Sequence, residues 1–227
     1  MVLRTEPQVS ADALAGARAL DIHGDIIAAG VALEDYLARY AAGHCEYIEG
    51  YVIQLSPTQL RHSLILQYLL ILLRSYFETT QHGRVILQPF VMRLPAFPNR
   101  RREPDLFVVL NDNPHPLTPT YMDGPADIVI EIISEESDIR DRGEKFTEYE
   151  QGGVPEYWLI DPLRDQAMFY RQASDHGYRL QALDADECYT TPALPGLKVH
   201  VPTLWGDPLP TIFETLEAVK AMLTAAE

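Results

Sequence analysis

The chain has 227 residues, 47% of them hydrophobic and 22% charged, which suits one domain with appendages and a core large enough to need no covalent or metal staple. Lys and Arg number 18 against 33 Asp and Glu, and the net charge of −15 argues against non-specific nucleic-acid binding through a broad basic face. It leaves room for an acidic centre neutralised by divalent cations inside a local basic rim.

Residues 1–30 read as an arm with one short helix near Ala11–Leu20. Val31–Tyr40 carries apolar residues at helical spacing, and Gly43 suits its end. Glu46–Leu55 alternates around Glu49-Gly50, the pattern of a hairpin. Thr58 is placed to cap the long helix Leu60–Thr79, whose leucines spread beyond one face and predict packing on a sheet and on another element. A strand is expected over Arg84–Leu94, with Pro89 marking an edge or bulge. The stretch 95–102 reads as a loop ending in Arg100-Arg101-Arg102. Leu106–Leu110 is a buried strand, and Asn111–Gly124 is rich in turn formers.

The segment Ala126–Pro162 reads as strand, polar loop, helix, turn, strand. Ala167–Arg171 and Tyr178–Leu183 follow as a meander of exposed strands, and Ala193–Val201 as a strand or turn. Leu209–Ala225 is an amphipathic helix. Mixed helices and strands predict an α/β or α+β fold with a mixed sheet. Cys45 and Cys188 lack C-x-x-C spacing and read as small packed side chains. There is no apolar run of about 18 residues and no basic-then-apolar N-terminus, so a cytoplasmic protein without a membrane partner is expected.

Glu131 stands inside the run Ile128–Ile133, where an unpartnered carboxylate is costly. Asp105 heads the upstream strand. If the two strands are antiparallel neighbours, the start of one meets the end of the other and the carboxylates converge. Such a pair can hold a divalent cation, which suits phosphodiester hydrolysis, with a lysine to assist. Asp141, Lys145 and Tyr149 share one helix face.

Glu103-Pro104-Asp105, then Pro125–Ser134, then Asp141, Lys145, Tyr149, Gly153-Val154 and Glu156-Tyr157-Trp158 together resemble the Uma-type family of putative restriction endonucleases, formerly a domain of unknown function. That family is similar to the P-D…(D/E)-x-K nuclease superfamily. Glu46–Gly50 and His62 also match, and the resemblance runs from about Val31 to about Leu204. It implies a restriction-endonuclease-like mixed β-sheet flanked by helices over residues 31–205, with 206–227 a helix packed on the same domain. It implies Asp105, Glu131 and Glu46 as ligands of Mg²⁺ or Mn²⁺, with Lys145 and His62 completing the catalytic set. The superfamily places its lysine two residues after the strand carboxylate. Here that residue is Ile133, and the resemblance moves the role to Lys145. The arginine run before Asp105 is a candidate phosphate-contacting rim.

The expected function is metal-dependent DNA endonuclease activity. DNA is the expected partner, and a homodimer would suit cutting of both strands. The alternative is a nuclease-fold binding or assembly module with weak or absent activity, motivated by the acidity and by Ile133. Hydrolysis of a phosphoester outside nucleic acid is a third option.

Overall fold

Period-two runs and one long helical stripe set the architecture. The computed structural model describes residues 9–20, 22, 24–55, 59–135, 137–175 and 177–225. Helix α1 (Ala11–Ala19) and strand β1 (Asp25–Ala28) precede α2 (Leu33–Arg39), the hairpin β2 (Cys45–Ile48) and β3 (Tyr51–Gln54), and α3 (Leu60–Thr80). Next come β4 (Gly83–Leu87), β5 (Val91–Arg93), β6 (Arg100–Arg101), β7 (Leu106–Leu110), β8 (Tyr121–Asp123) and β9 (Ile128–Ile132). A π-helical turn, Arg140–Glu144, runs into α4 (Lys145–Gln151). The order ends with β10 (Glu156–Asp161), β11 (Gln166–Gln172), β12 (Tyr178–Leu180), β13 (Cys188–Tyr189), β14 (Val199–His200), α5 (Val201–Leu204) and α6 (Ile212–Thr224).

The main sheet has the strand order β12-β11-β10-β9-β7-β4. β9 and β10 are parallel and joined through α4, and every other pairing in it is antiparallel. This is the mixed α+β sheet flanked by helices that the sequence predicts.

Strand alternation divides the core. Leu106, Val108, Ile128, Ile130 and Ile132 face α3, which covers them with Ile65, Leu69, Leu72 and Leu73. α6 packs on the outside of α3, so the wide leucine stripe meets both sheet and helix. Thr211 and Glu214 close a capping box at the start of α6. Phe107, Val109 and Val129 point to the opposite face, against Tyr149 and Val154. Asp105 and Glu131 are in phase with this second set, so both belong to the face that α4 covers.

A second sheet, β1-β3-β2-β6, carries the hairpin, whose turn residues Glu49 (φ 49°) and Gly50 (φ 87°) both have the positive φ that such a turn requires. Three expectations change here. The segment expected as an arm contributes β1, which pairs with β3, and it buries Ala17 and Ile22 against Ile48 and Ile53. Arg100-Arg101, expected in a loop, forms β6 against β2. The strand expected over Arg84–Leu94 is two strands, because Pro89 has no N–H to donate. β5 resumes beyond it and pairs in parallel with β8.

The meander is less exposed than its sequence suggests, since Phe169 of β11 is fully buried and stacks on Tyr189. Thr58, expected as a cap, lies outside the described residues. Cys45 and Cys188 are buried and free. No described helix is long and apolar enough to cross a membrane.

Candidate active site

β7 and β9 are antiparallel neighbours with Leu106 opposite Ile130, so Asp105 at the start of one stands beside Glu131 near the end of the other. The Asp105 N–H donates to Glu131 Oε2 at 3.4 Å, and the Ile132 N–H donates to Asp105 Oδ2 at 2.8 Å. His62, in the first turn of α3, brings Nε2 to 3.0 Å from Asp105 Oδ2, while Gln88 Nε2 donates to Oδ1 at 2.9 Å. Asp105 is thereby held from three elements. Gln88 gave no sign in the sequence beyond standing before a proline.

Lys145 opens α4 and reaches back over the sheet. Its ammonium is 2.9 Å from Glu131 Oε1, 3.2 Å from Asp141 Oδ1 and 3.4 Å from Glu46 Oε1. Tyr149, one turn on, donates its hydroxyl to Glu131 Oε1 at 2.7 Å. The helix face shared by Asp141, Lys145 and Tyr149 is therefore the face applied to Glu131. Arg142, on the same segment, pairs with Asp138 and Asp161 and not with Glu131.

Glu46 belongs to the hairpin and enters from the second sheet. Its Oε2 accepts from Arg102 Nη1 at 2.8 Å, and its Oε1 is the one near Lys145. Both oxygens face protein cations. Arg102 is 1% exposed and also binds Glu148 and Glu144, at 2.5 Å and 2.7 Å from Nη2. The reading of the arginine run as a phosphate-contacting rim is thus corrected for Arg102. A guanidinium enclosed by three carboxylates has no free face for phosphate. The signal for this was the excess of acids on 141–148, but three adjacent arginines concealed which one turns inward.

Asp105, Glu131, His62, Gln88, Asp141 and Lys145 line a cavity of about 50 Å³, room for about three to five waters at the ~10–15 Å³ that each needs. Four carboxylates, Glu103, Asp105, Glu131 and Asp141, face it against the permanent cations Arg140 and Lys145. Burial, reinforced by Asp141, Asp105 and Glu46, pushes Glu131 up to about 8 against the opposing pull of Lys145. Burial alone would also raise Glu46, but Lys145, Arg102 and Arg140 outweigh it and hold it below the usual carboxylate range. Burial works against the Lys145 ammonium, yet Asp141, Glu131 and Glu46 prevail and keep it charged. Burial raises Glu103, whose neighbour His44 stands 3.4 Å away and is itself raised by that contact.

Among the described residues, no group of three or more His, Cys, Asp or Glu side chains is arranged to hold a metal ion. A Mg²⁺ ion asks for less, because it binds through one or two carboxylates and retains several waters. Glu103 Oε1 is buried without a hydrogen-bond partner among the described residues, and Glu103 Oε2 and Asp141 Oδ1 have only the ion-pair contacts of His44 and Lys145. Hard, under-satisfied oxygens in an acidic, water-sized cavity fit such an ion. Glu103 was quoted in the sequence motif without a role, and its burial was not legible there.

Residues 33–202 match the family model described as Uma2, "Putative restriction endonuclease". The fold is similar to that in a crystal structure of a putative nuclease belonging to DUF820 from Anabaena variabilis ATCC 29413, with a TM-score of 0.63 and 20% identity, over 77% of this chain and 97% of that one. At that identity the likeness is one of fold. No curated protein matches the chain.

Proposed function

Because the chain belongs to the Uma2 family of putative restriction endonucleases, we propose that it is a metal-dependent endonuclease that hydrolyses DNA phosphodiester bonds at Asp105, Glu131 and Lys145. The observation that carries this reading is the approach of Lys145 Nζ to 2.9 Å from Glu131 Oε1, beside an Asp105 whose N–H points at the other oxygen of the same carboxylate. Asp105 and Glu131 are the residues that would hold Mg²⁺ or Mn²⁺. When bound, the ion supplies a Lewis acid that stabilises charge on the phosphate and makes water a better nucleophile.

The chain's own groups do the rest. Lys145 keeps its proton and presents a positive charge where negative charge builds on phosphate oxygens. Tyr149 and Lys145 orient Glu131 through Oε1, which leaves Oε2 directed toward Asp105. His62 and Gln88 fix the Asp105 carboxylate. Glu46 has the part of anchoring Lys145 and Arg102. Arg140, Ser134 and Ser137 line the same cavity and offer donors to a phosphate.

Calorimetric Mn²⁺ titration of the wild type, Asp105→Ala and Glu131→Ala, with cleavage assays on single-stranded, double-stranded and branched DNA, tests this reading. Binding is expected to weaken in both variants, and cleavage to require the ion and Lys145. Unchanged binding in both variants sinks the site.

One observation favours a second reading, a nuclease-fold binding module. Ile133, in the superfamily's lysine slot, is buried in an apolar cluster, and Lys145 is already enclosed by three carboxylates. Metal uptake without cleavage of any of the three DNA forms would select it.

A further inference from the structure

β6 has two faces. Arg102, just beyond it, turns toward Glu46, Glu144 and Glu148, and alternation sends the preceding Arg101 the other way. There it lines a second cavity, of about 620 Å³, between α2 and the β5–β8 pair. The wall is largely apolar, with Leu33 and Leu37 from α2, Phe90 and Val91 beside β5, and Tyr121 from β8.

Arg101 is only 5% exposed, and among the described residues no carboxylate lies within ion-pair distance of it. Its Nη1 donates to the carbonyls of Pro98 at 2.9 Å and Arg100 at 2.6 Å. These bonds fix the guanidinium plane and leave the Nε–Nη2 edge without a protein acceptor among the described residues. Arg93 adds a second positive charge to the same cavity. It is paired with Asp123 and lies over the Tyr121 ring, 5.9 Å from its centroid. Burial and the nearby Arg93 both disfavour the Arg101 cation, and an anion placed against it reverses that penalty.

A buried guanidinium with no counter-ion is a costly arrangement. One that offers a two-donor edge to a cavity within the ~300–1,000 Å³ range of ligand pockets is a recognition element. We propose that this cavity binds a small amphipathic carboxylic acid, with its carboxylate on the Arg101 Nε–Nη2 edge and its apolar body against Leu33, Leu37 and Phe90. Its size and apolar wall favour a small molecule over a nucleic-acid strand. The assignment stands apart from the nuclease reading, because the cavity lies on the opposite side of β6 from Lys145 and Glu131.

The test is calorimetric titration of the full chain with 4-phenylbutyrate and with its neutral analogue 4-phenylbutyramide. The carboxylate is expected to bind saturably and at least about tenfold more tightly than the amide, the difference a charge-assisted pair supplies. Arg101→Met is expected to erase that difference. Leu37→Glu, at a position 51% exposed on α2, places a like charge at the rim without touching the core, and serves if Arg101→Met does not fold. It is expected to weaken both ligands through the lost apolar contact, and the carboxylate about tenfold more than the amide. Absence of saturable binding to the wild type, equal affinity for carboxylate and amide, or indifference to these variants overturns the proposal. So does displacement of 4-phenylbutyrate by a short 5′-phosphorylated oligonucleotide, which would assign the cavity to nucleic acid.

Discussion

Lys145 and Glu131 lie 14 residues apart in the chain and 2.9 Å apart in space, with the ammonium and carboxylate both almost wholly buried. Three acids depend on that one ammonium. Lys145→Met would leave Glu131, Glu46 and Asp141 facing one another without it, and removing one partner of a buried pair costs about 3–5 kcal/mol. Urea denaturation should show a lower midpoint at unchanged slope. Adding Glu46→Gln to Lys145→Met should restore part of the loss, because Glu46, held below the usual carboxylate range, carries a charge that then lacks the ammonium. A double variant no more stable than Lys145→Met alone would contradict this coupling.

The acidity of Glu131 predicts a pH dependence. Burial and the neighbouring acids push its carboxyl up to about 8 in the folded chain, from the ordinary 4.5 that it keeps when unfolded. A group whose pKa is raised by folding contributes stability that is fully present below the unfolded value and is lost as pH rises through the folded one. In the absence of divalent cations, melting temperatures of the wild type should therefore fall relative to Glu131→Gln between about pH 4.5 and 8, then run parallel. A difference that stays flat across this window would mean that Glu131 is ionised throughout.

Arg102 should resist conservative replacement. It reaches Glu46 through Nη1, and Glu144 and Glu148 through Nη2, a division that a single ammonium cannot copy. Arg102→Lys is expected to destabilise the fold by about 2–3 kcal/mol, and Arg102→Met by more. Equal denaturation midpoints for wild type and Arg102→Lys would show that only charge matters here.

His62 acts on the proposed metal through Asp105. Loss of a side chain that orients a ligand typically weakens metal binding by about 10–100-fold. His62→Ala should reduce Mn²⁺ affinity in that range, while Asp105 retains Gln88 and the Ile132 N–H and the thermal transition is little changed. Combining it with Gln88→Ala should deepen the effect. Mn²⁺ titration followed by electron paramagnetic resonance measures both.

Much of this was legible from local pattern. The short apolar runs Leu106–Leu110 and Ile128–Ile132 mark the strands that carry Asp105 and Glu131, and the four-residue spacing of Asp141, Lys145 and Tyr149 marks the helix face that meets them. The connection between α4 and the strand carboxylate came from resemblance to a family, since no spacing says where a helix will dock. What escaped was long-range or short-segmented. Arg102 and Glu46 are 56 residues apart, and nothing local distinguishes Arg102 from its two neighbours. β1 has four residues and β6 has two, too few for a period to declare itself. Their strand character comes from the edges that β3 and β2 offer them.

The division of the charges between two sheets has a consequence for when the cluster comes into being. Glu46 arrives on the hairpin, Arg102 just after β6, and Glu131 and Lys145 on β9 and α4, with 56 residues between Glu46 and Arg102 and 46 between Arg102 and Glu148. The Glu46–Arg102 and Arg102–Glu148 pairs each need a long loop closed first, and contacts of that span form late. A chain still emerging from the ribosome holds these acids apart and hydrated. Whatever reactivity they acquire together begins only once the hairpin, β6 and α4 have met.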